Sequence, residues 1–235
     1  MEDIDAIAVL QDPVRRRLYE YVVAQGREVG RNEAAEATGV ARTLAAHHLD
    51  KLTGAGLLES GSRRLSGRSG PGAGRPAKVY TRAPGERSVS LPARDYRTAA
   101  ELLAEAAELA GLDAGLCAAA RRRGESLRGS AGPCGGLDQA VETLAARGYE
   151  PYLEGAEEGA GPVVRMRNCP FHAVAESFPP LVCGMNLALL EGLLGEEGPV
   201  RARMDARPGE CCVIVEASKD NDDLHRKGTR AGMRP

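Results

Sequence analysis

The stretch from Ser60 to Pro76 is built largely of Gly, Ser, Pro and Arg, and it separates two short runs, Gly56-Leu57-Leu58-Glu59 and Ala77-Lys78-Val79-Tyr80-Thr81. Gly and Pro at that density exclude a helix across it. The flanking runs then become the outgoing and returning strands of a hairpin with a long, pliable, basic loop, which is the outline of a wing. What precedes it is helical. Asp12 stands as an N-cap ahead of Pro13, and Val14, Leu18, Tyr21 and Val22 recur at helical spacing, predicting a helix over residues 12–25. A second short helix is predicted over 31–38, broken by Gly39-Val40, and a third from Ala41 to about Gly54 with Ala45, Leu49 and Leu52 on one face. Two helices joined by a tight turn containing Gly, after a leading helix, make the helix-turn-helix pattern.

The net charge of −2 says little until it is divided along the chain. Residues 1–90 hold 14 Lys and Arg against 11 Asp and Glu, a balance of +3, leaving −5 for the remainder. Residues 57–90 alone carry seven basic groups and two acidic ones. A local surplus of that kind is an anion-binding surface, with nucleic acid the expected anion. If Ala45, Leu49 and Leu52 face the core, helical geometry puts Arg42, Thr43, Ala46, His47, Asp50 and Lys51 on the outer side. In a helix-turn-helix that side enters the major groove. Arg42 suits guanine O6 and N7, Thr43 a phosphate or a thymine methyl, and His47 a base edge or a phosphate. Asp50 would repel phosphate, so it either accepts from cytosine or caps a local salt bridge. His48 lies nearer the core side and reads as a packed residue. In the wing, Arg63, Arg64, Arg68 and Arg75 reach phosphates or a narrow minor groove, and Lys78 joins them from the returning strand.

Residues 1–87 are thus expected to form a winged helix-turn-helix DNA-binding domain. Tyr96, Ala99, Leu102, Leu103, Ala106 and Leu109 then repeat at helical spacing, and a second helical stretch spans about Asp113 to Arg123. Residues 88–130 read as a linker and dimerisation helices, able to pack against a second copy. Gly124 to Gly136 reads as the loop before a last domain, 131–216, in which helices (137–147, 171–177, 181–194) mix with strands (150–154, 162–167, 200–204, 211–215). The fold class is α+β. Residues 217–235 are polar and aperiodic, the composition of a disordered tail.

Six cysteines remain to be placed. The acidic N-terminus lacks a basic n-region and an apolar h-region, and no run of about 18 apolar residues occurs, so a cytoplasmic protein without membrane association is expected. That compartment keeps thiols reduced, which argues against a disulfide framework and favours metal, cluster or redox chemistry. Cys117 reads as a small core residue and Cys134 as a loop thiol. Cys169 sits at a strand-to-helix corner before Pro170. Cys183, three residues past Pro180, falls in the first turn of a buried helix, where free N–H groups and the helix dipole lower a thiol's pKa. Cys211 and Cys212 lead a strand, so only one can point at the other two. Three thiolates converging from three elements make a ligand set for a cluster or a soft metal such as zinc, or a thiol switch.

Val40-Ala-Arg-Thr-Leu-Ala-Ala-His-His-Leu-Asp-Lys-Leu followed by Ala-Gly-Leu-Leu resembles the winged-helix heads of ArsR, MarR and DeoR type bacterial regulators, over roughly residues 10–83. Further on, Cys-Pro-Phe-His-Ala-Val-Ala, Leu-Val-Cys, Leu-Leu-Glu-Gly-Leu-Leu-Gly and Gly-Glu-Cys-Cys-Val look like the C-terminal domain of SufR-type repressors. That resemblance implies a dimeric repressor whose C-terminal cysteines hold an iron-sulfur cluster controlling DNA affinity. By position the ligands would be Cys169, Cys183 and Cys212, or Cys211 if the register slips by one. His172, a water or a small molecule would take the fourth place. An enzyme with Cys169 or Cys183 as nucleophile and His172 as base is the contrasting reading. No phosphate loop, dinucleotide fingerprint or zinc-protease motif accompanies it, so no catalysis is expected.

Overall fold

In a computed structural model, which describes residues 2–63, 76–155 and 161–218, Asp12 accepts from the backbone N–H groups of Val14 and Arg15 at 2.9 and 3.0 Å. It caps a helix whose first residue is Pro13, as its position predicts. The chain divides into two compact units, residues 1–94 and 95–235. Arg64, Arg68, Arg75 and the loop glycines between them, together with residues 219–235 of the expected tail, lie outside the described residues.

The first unit runs α1 (Glu2–Ala8), α2 (Pro13–Gln25), β1 (Val29–Gly30), α3 (Arg31–Thr38), α4 (Arg42–Gly54), β2 (Leu58–Arg63) and β3 (Ala77–Arg82). Gly26 and Gly39 adopt the left-handed conformation that ends α2 and α3. The antiparallel sheet has the order β1-β3-β2, with Ser62 opposite Lys78 and Arg63 opposite Ala77. Leu18, Val22, Ala45, Leu49, Leu52, Leu58 and Tyr80 are fully buried together. Each buried leucine contributes about 2 kcal/mol of transfer free energy. The outer side of α4 is thereby forced to the surface.

The second unit runs α5 (Tyr96–Leu109), α6 (Asp113–Arg128), α7 (Leu137–Ala145), β4 (Pro151–Glu154), β5 (Val163–Met166), α8 (His172–Ala175), α9 (Pro179–Leu194), β6 (Val200–Met204) and β7 (Val213–Ala217). Its antiparallel sheet has the order β4-β5-β7-β6. One face, with Val164, Met166, Val213 and Val215, packs into a core with Leu144, Leu190 and Leu194. The other face carries Tyr152, Arg165, Arg203 and Glu216, which alternate with the core residues along the strands. The mixed helix-and-sheet fold is the expected one.

Gly124 does not open a loop. Helix α6 continues through it to Arg128. A methyl group at Gly124 would overlap the Leu189 carbonyl, and one at Gly192 would overlap the Arg121 carbonyl. The two glycines allow α6 and α9 to touch backbone to backbone, and α5 and α6, expected as dimerisation helices after a linker, lie in one compact unit with 137–217. Helix α5 turns small residues inward, Ala104 being its buried one. Tyr96, Leu102, Leu103 and Leu109 on its other side are 73, 61, 72 and 83% exposed. No helix among the described residues is long and apolar enough to cross a membrane.

Candidate nucleic-acid interface and cysteine cluster

Helix α4 presents Arg42, Thr43, His47, Asp50 and Lys51 to solvent, with Ala46 half-buried at their centre. Ala45, Leu49 and Leu52 are fully buried beneath them, as the spacing requires. The side chains of Arg42, Thr43, His47 and Lys51 make no hydrogen bond or ion pair with another described residue. Ala41 supplies no side-chain cap to α4. The first N–H groups of the helix therefore stay available beside Arg42, an arrangement suited to an incoming phosphate. A cleft of about 1470 Å³ lies between α3, the start of α4 and the base of the hairpin, with Arg27, Arg31, Arg42, Arg63 and Lys78 along its walls.

Four of those five cations already have partners: Arg27 pairs with Glu33 at 2.5 Å, and Arg31 lies 3.8 Å from Asp50. Arg63 pairs with Glu28 at 3.3 Å, an exposed contact easily exchanged for a phosphate. Lys78 instead donates to Asp50 at 2.8 Å. Asp50 also accepts from the Tyr80 hydroxyl at 2.8 Å, and Arg31 donates to that hydroxyl at 3.0 Å. Burial works against the Asp50 carboxylate, but its bonds to Lys78 and Tyr80 outweigh this and keep its pKa below the ordinary value. Of the two roles open to Asp50, the geometry shows the local salt bridge, with Lys78 as its partner. His48 is buried, as expected, and desolvation lowers its pKa.

The cysteines of the second unit meet in two pairs. Cys183 and Cys212 form a disulfide with Cα atoms 6.5 Å apart, so a disulfide stands where reduced thiols were expected. The reason is geometric: α9 and the start of β7 bring the two Cα atoms to bridging distance. Cys169 is half-buried and free, and Cys211 is buried and free. Cys211 hydrogen-bonds Cys169, which lowers the Cys169 pKa, while the same bond and burial raise that of Cys211. Helix α9 begins at Pro179, so Cys183 is its fifth residue, beyond the free N–H groups expected to activate it. Cys211 and Cys212 precede β7, which begins at Val213, and both are used, one toward Cys169 and Asn186 and one toward Cys183. His172 is exposed on α8 with Nε2 3.3 Å from Glu176. No group of three or more Cys, His, Asp or Glu among the described residues is arranged to hold a metal ion. Cys134, expected as a loop thiol, is buried, with its thiol 3.4 Å from the Gly136 carbonyl.

Two polar residues beside the cysteines were not foreseen. Asn186, one turn after Cys183, is buried and donates to the Cys211 sulfur at 3.4 Å. Its side-chain oxygen accepts from the buried Tyr149 hydroxyl at 2.5 Å. Burial raises the Tyr149 pKa, so the phenol stays protonated and keeps donating. An Asn inside the apolar run of α9 was the signal in the sequence, since buried amides need partners. The loop carrying Cys211 and Cys212 is held from the opposite face of the sheet as well. Arg165 is 2% exposed and bonds Glu154 at 2.8 Å and Asp205 at 2.9 Å, and Tyr152 donates to Glu210 at 2.5 Å.

Residues 10–61 match a protein-family model described as a helix-turn-helix domain. No curated protein and no solved structure matches the chain. The match covers α2 to β2, the part bearing the exposed face of α4, and supports a DNA-binding transcriptional regulator.

Proposed function

We propose that the chain is a homodimeric transcriptional regulator, acting as a repressor, whose DNA affinity is set by the oxidation state of Cys169, Cys183, Cys211 and Cys212. The observation that carries this reading is the gathering of those four residues at one corner of the second unit, in a chain whose first unit matches a helix-turn-helix domain. Cys183 and Cys212 can exist as disulfide or dithiol, and their interconversion frees or joins α9 and β7. Differential stability of the two states is what a sensor needs. Support for a homodimer is the leucine-bearing side of α5, which is exposed while the alanine side packs. An apolar helix face of that kind is satisfied by a second copy of itself.

The test compares oxidised and thiol-reduced protein on a duplex enriched from a random library. A change in affinity of about tenfold is expected, within the usual coupling range of about 1–3 kcal/mol, and Cys183→Ser and Cys212→Ser should each abolish it. Equal affinity in both states would remove the sensing claim. On the dimer, Leu103→Glu combined with Leu109→Glu is expected to convert a dimer in light scattering to a monomer and to weaken binding. A wild-type chain that is already monomeric at micromolar concentration overturns it.

A second reading is favoured by the sulfur count. Reduction of the disulfide would offer four thiols, the usual complement for an iron-sulfur cluster. Cys169, Cys183, Cys211 and Cys212 would hold it, and the cluster would supply a labile, oxidant-sensitive group. Protein purified without oxygen would then be coloured and contain iron and sulfide. A colourless protein containing zinc would put a structural metal there instead.

A further inference from the structure

A recognition helix and a wing can engage one duplex together only if their separation is held. In the first unit α4 rests on the core through Ala45, Leu49 and Leu52, while the hairpin extends beyond it. One carboxylate on the outer side of α4 joins the two. Asp50 Oδ1 accepts from Lys78 Nζ and from the Tyr80 hydroxyl, each at 2.8 Å, and lies 3.8 Å from Arg31 Nη2, which itself donates to that hydroxyl. Three elements, α3, α4 and β3, meet there. Tyr80 is fully buried, so its hydroxyl is a fixed point, and Lys78 lies two residues earlier on the same face of β3. The Lys78 ammonium also sits 5.4 Å from the centre of the Tyr80 ring.

We infer that Asp50 and Tyr80 are positioning residues that lock the wing to the recognition helix, and that Lys78 serves DNA binding through Asp50 instead of by touching a phosphate. The inference rests on the DNA-binding reading above. It reverses the expectation for an acid on a DNA-facing helix, whose removal should relieve repulsion. Loss of the lock leaves Arg42 and His47 in place but lets the wing drift, so phosphate contacts fall while base preference stays.

The experiment uses the full chain and a duplex enriched by the wild-type protein from a random library. Asp50→Asn is expected to bind about fivefold more weakly, although a negative charge has gone, with a salt slope shallower by about one phosphate and the same base preference. Tyr80→Phe changes no charge and should shift affinity and slope in the same direction. Lys78→Met should weaken wild-type binding but add nothing in the Asp50→Asn background. In protein free of DNA, Asp50→Asn and Tyr80→Phe should raise amide exchange along residues 77–82 while α4 keeps its protection. Tighter binding by Asp50→Asn, or equal losses from Lys78→Met in both backgrounds, overturns the lock. So does unchanged exchange. If no duplex is enriched, the DNA-binding reading fails, and the exchange measurement alone still decides whether the lock exists.

Discussion

Arg165→Met is expected to destabilise the second unit by about 3–5 kcal/mol, the cost of breaking a buried ion pair from one side. The guanidinium is 2% exposed and lies between Glu154 and Asp205, with Glu210 at 3.8 Å. Those three carboxylates come from β4 and from the loop joining β6 to β7, so the arginine ties both to β5. Removing it leaves acids crowded together without their shared cation. Methionine fills most of the volume, which confines the effect to charge and hydrogen bonding. Calorimetry of the full chain should show the transition of the second unit falling while that of the first is unchanged. A shift of less than about 1 kcal/mol would mean that Arg203 and Arg207, already paired with Asp205 and Glu154, take over the carboxylates.

Gly192→Ala is the second large effect, about 3 kcal/mol of destabilisation from a single methyl group. In an ordinary helix the same change stabilises by about 0.5–1 kcal/mol, because alanine has less backbone freedom to lose. Here the added carbon would enter the Arg121 carbonyl, and a carbonyl in mid-helix cannot move aside as a flexible side chain can. Helices α6 and α9 would have to separate, opening the core around Leu190 and Leu194. Gly124→Ala meets the Leu189 carbonyl and should behave alike. Gly184→Ala provides the contrast on the same helix: its methyl would sit 3.7 Å from the Cys117 sulfur, an ordinary contact, and should be tolerated. Urea unfolding of the three variants separates close packing from helix propensity. Equal stability of Gly184→Ala and Gly192→Ala would contradict it.

The parts of the molecule set by local rules were legible in the chain. Asp12 and Pro13 start α2 through a cap and a fixed φ, and residues 31–38 and 200–204 are bounded by breakers close at hand. The core side of α4 followed from its spacing alone. What escaped depended on partners distant in sequence. Gly124 has the composition of a loop, and only α9, more than sixty residues later, makes it a packing point. Asp50 could be either base-reader or salt bridge until Lys78 and Tyr80 were brought beside it. Alternation along a strand led to the expectation that only one of Cys211 and Cys212 could join the other cysteines. The strand begins only at Val213, and each of the two has a cysteine partner of its own. Asn186 and Tyr149 are linked across 37 residues, a contact no local pattern encodes.

Cys211 and Cys212 are neighbours along the chain, one sulfur bonded to Cys183 and the other against Cys169. One planar peptide separates them, so a displacement imposed at one sulfur has only a few backbone and side-chain torsions through which to dissipate before it reaches the other. That stretch leads directly into β7, which is an inner strand of the sheet, hydrogen-bonded to β5 on one side and β6 on the other. Any chemistry at the sulfurs would therefore reach the sheet at its middle, with a neighbouring strand on either side to feel it.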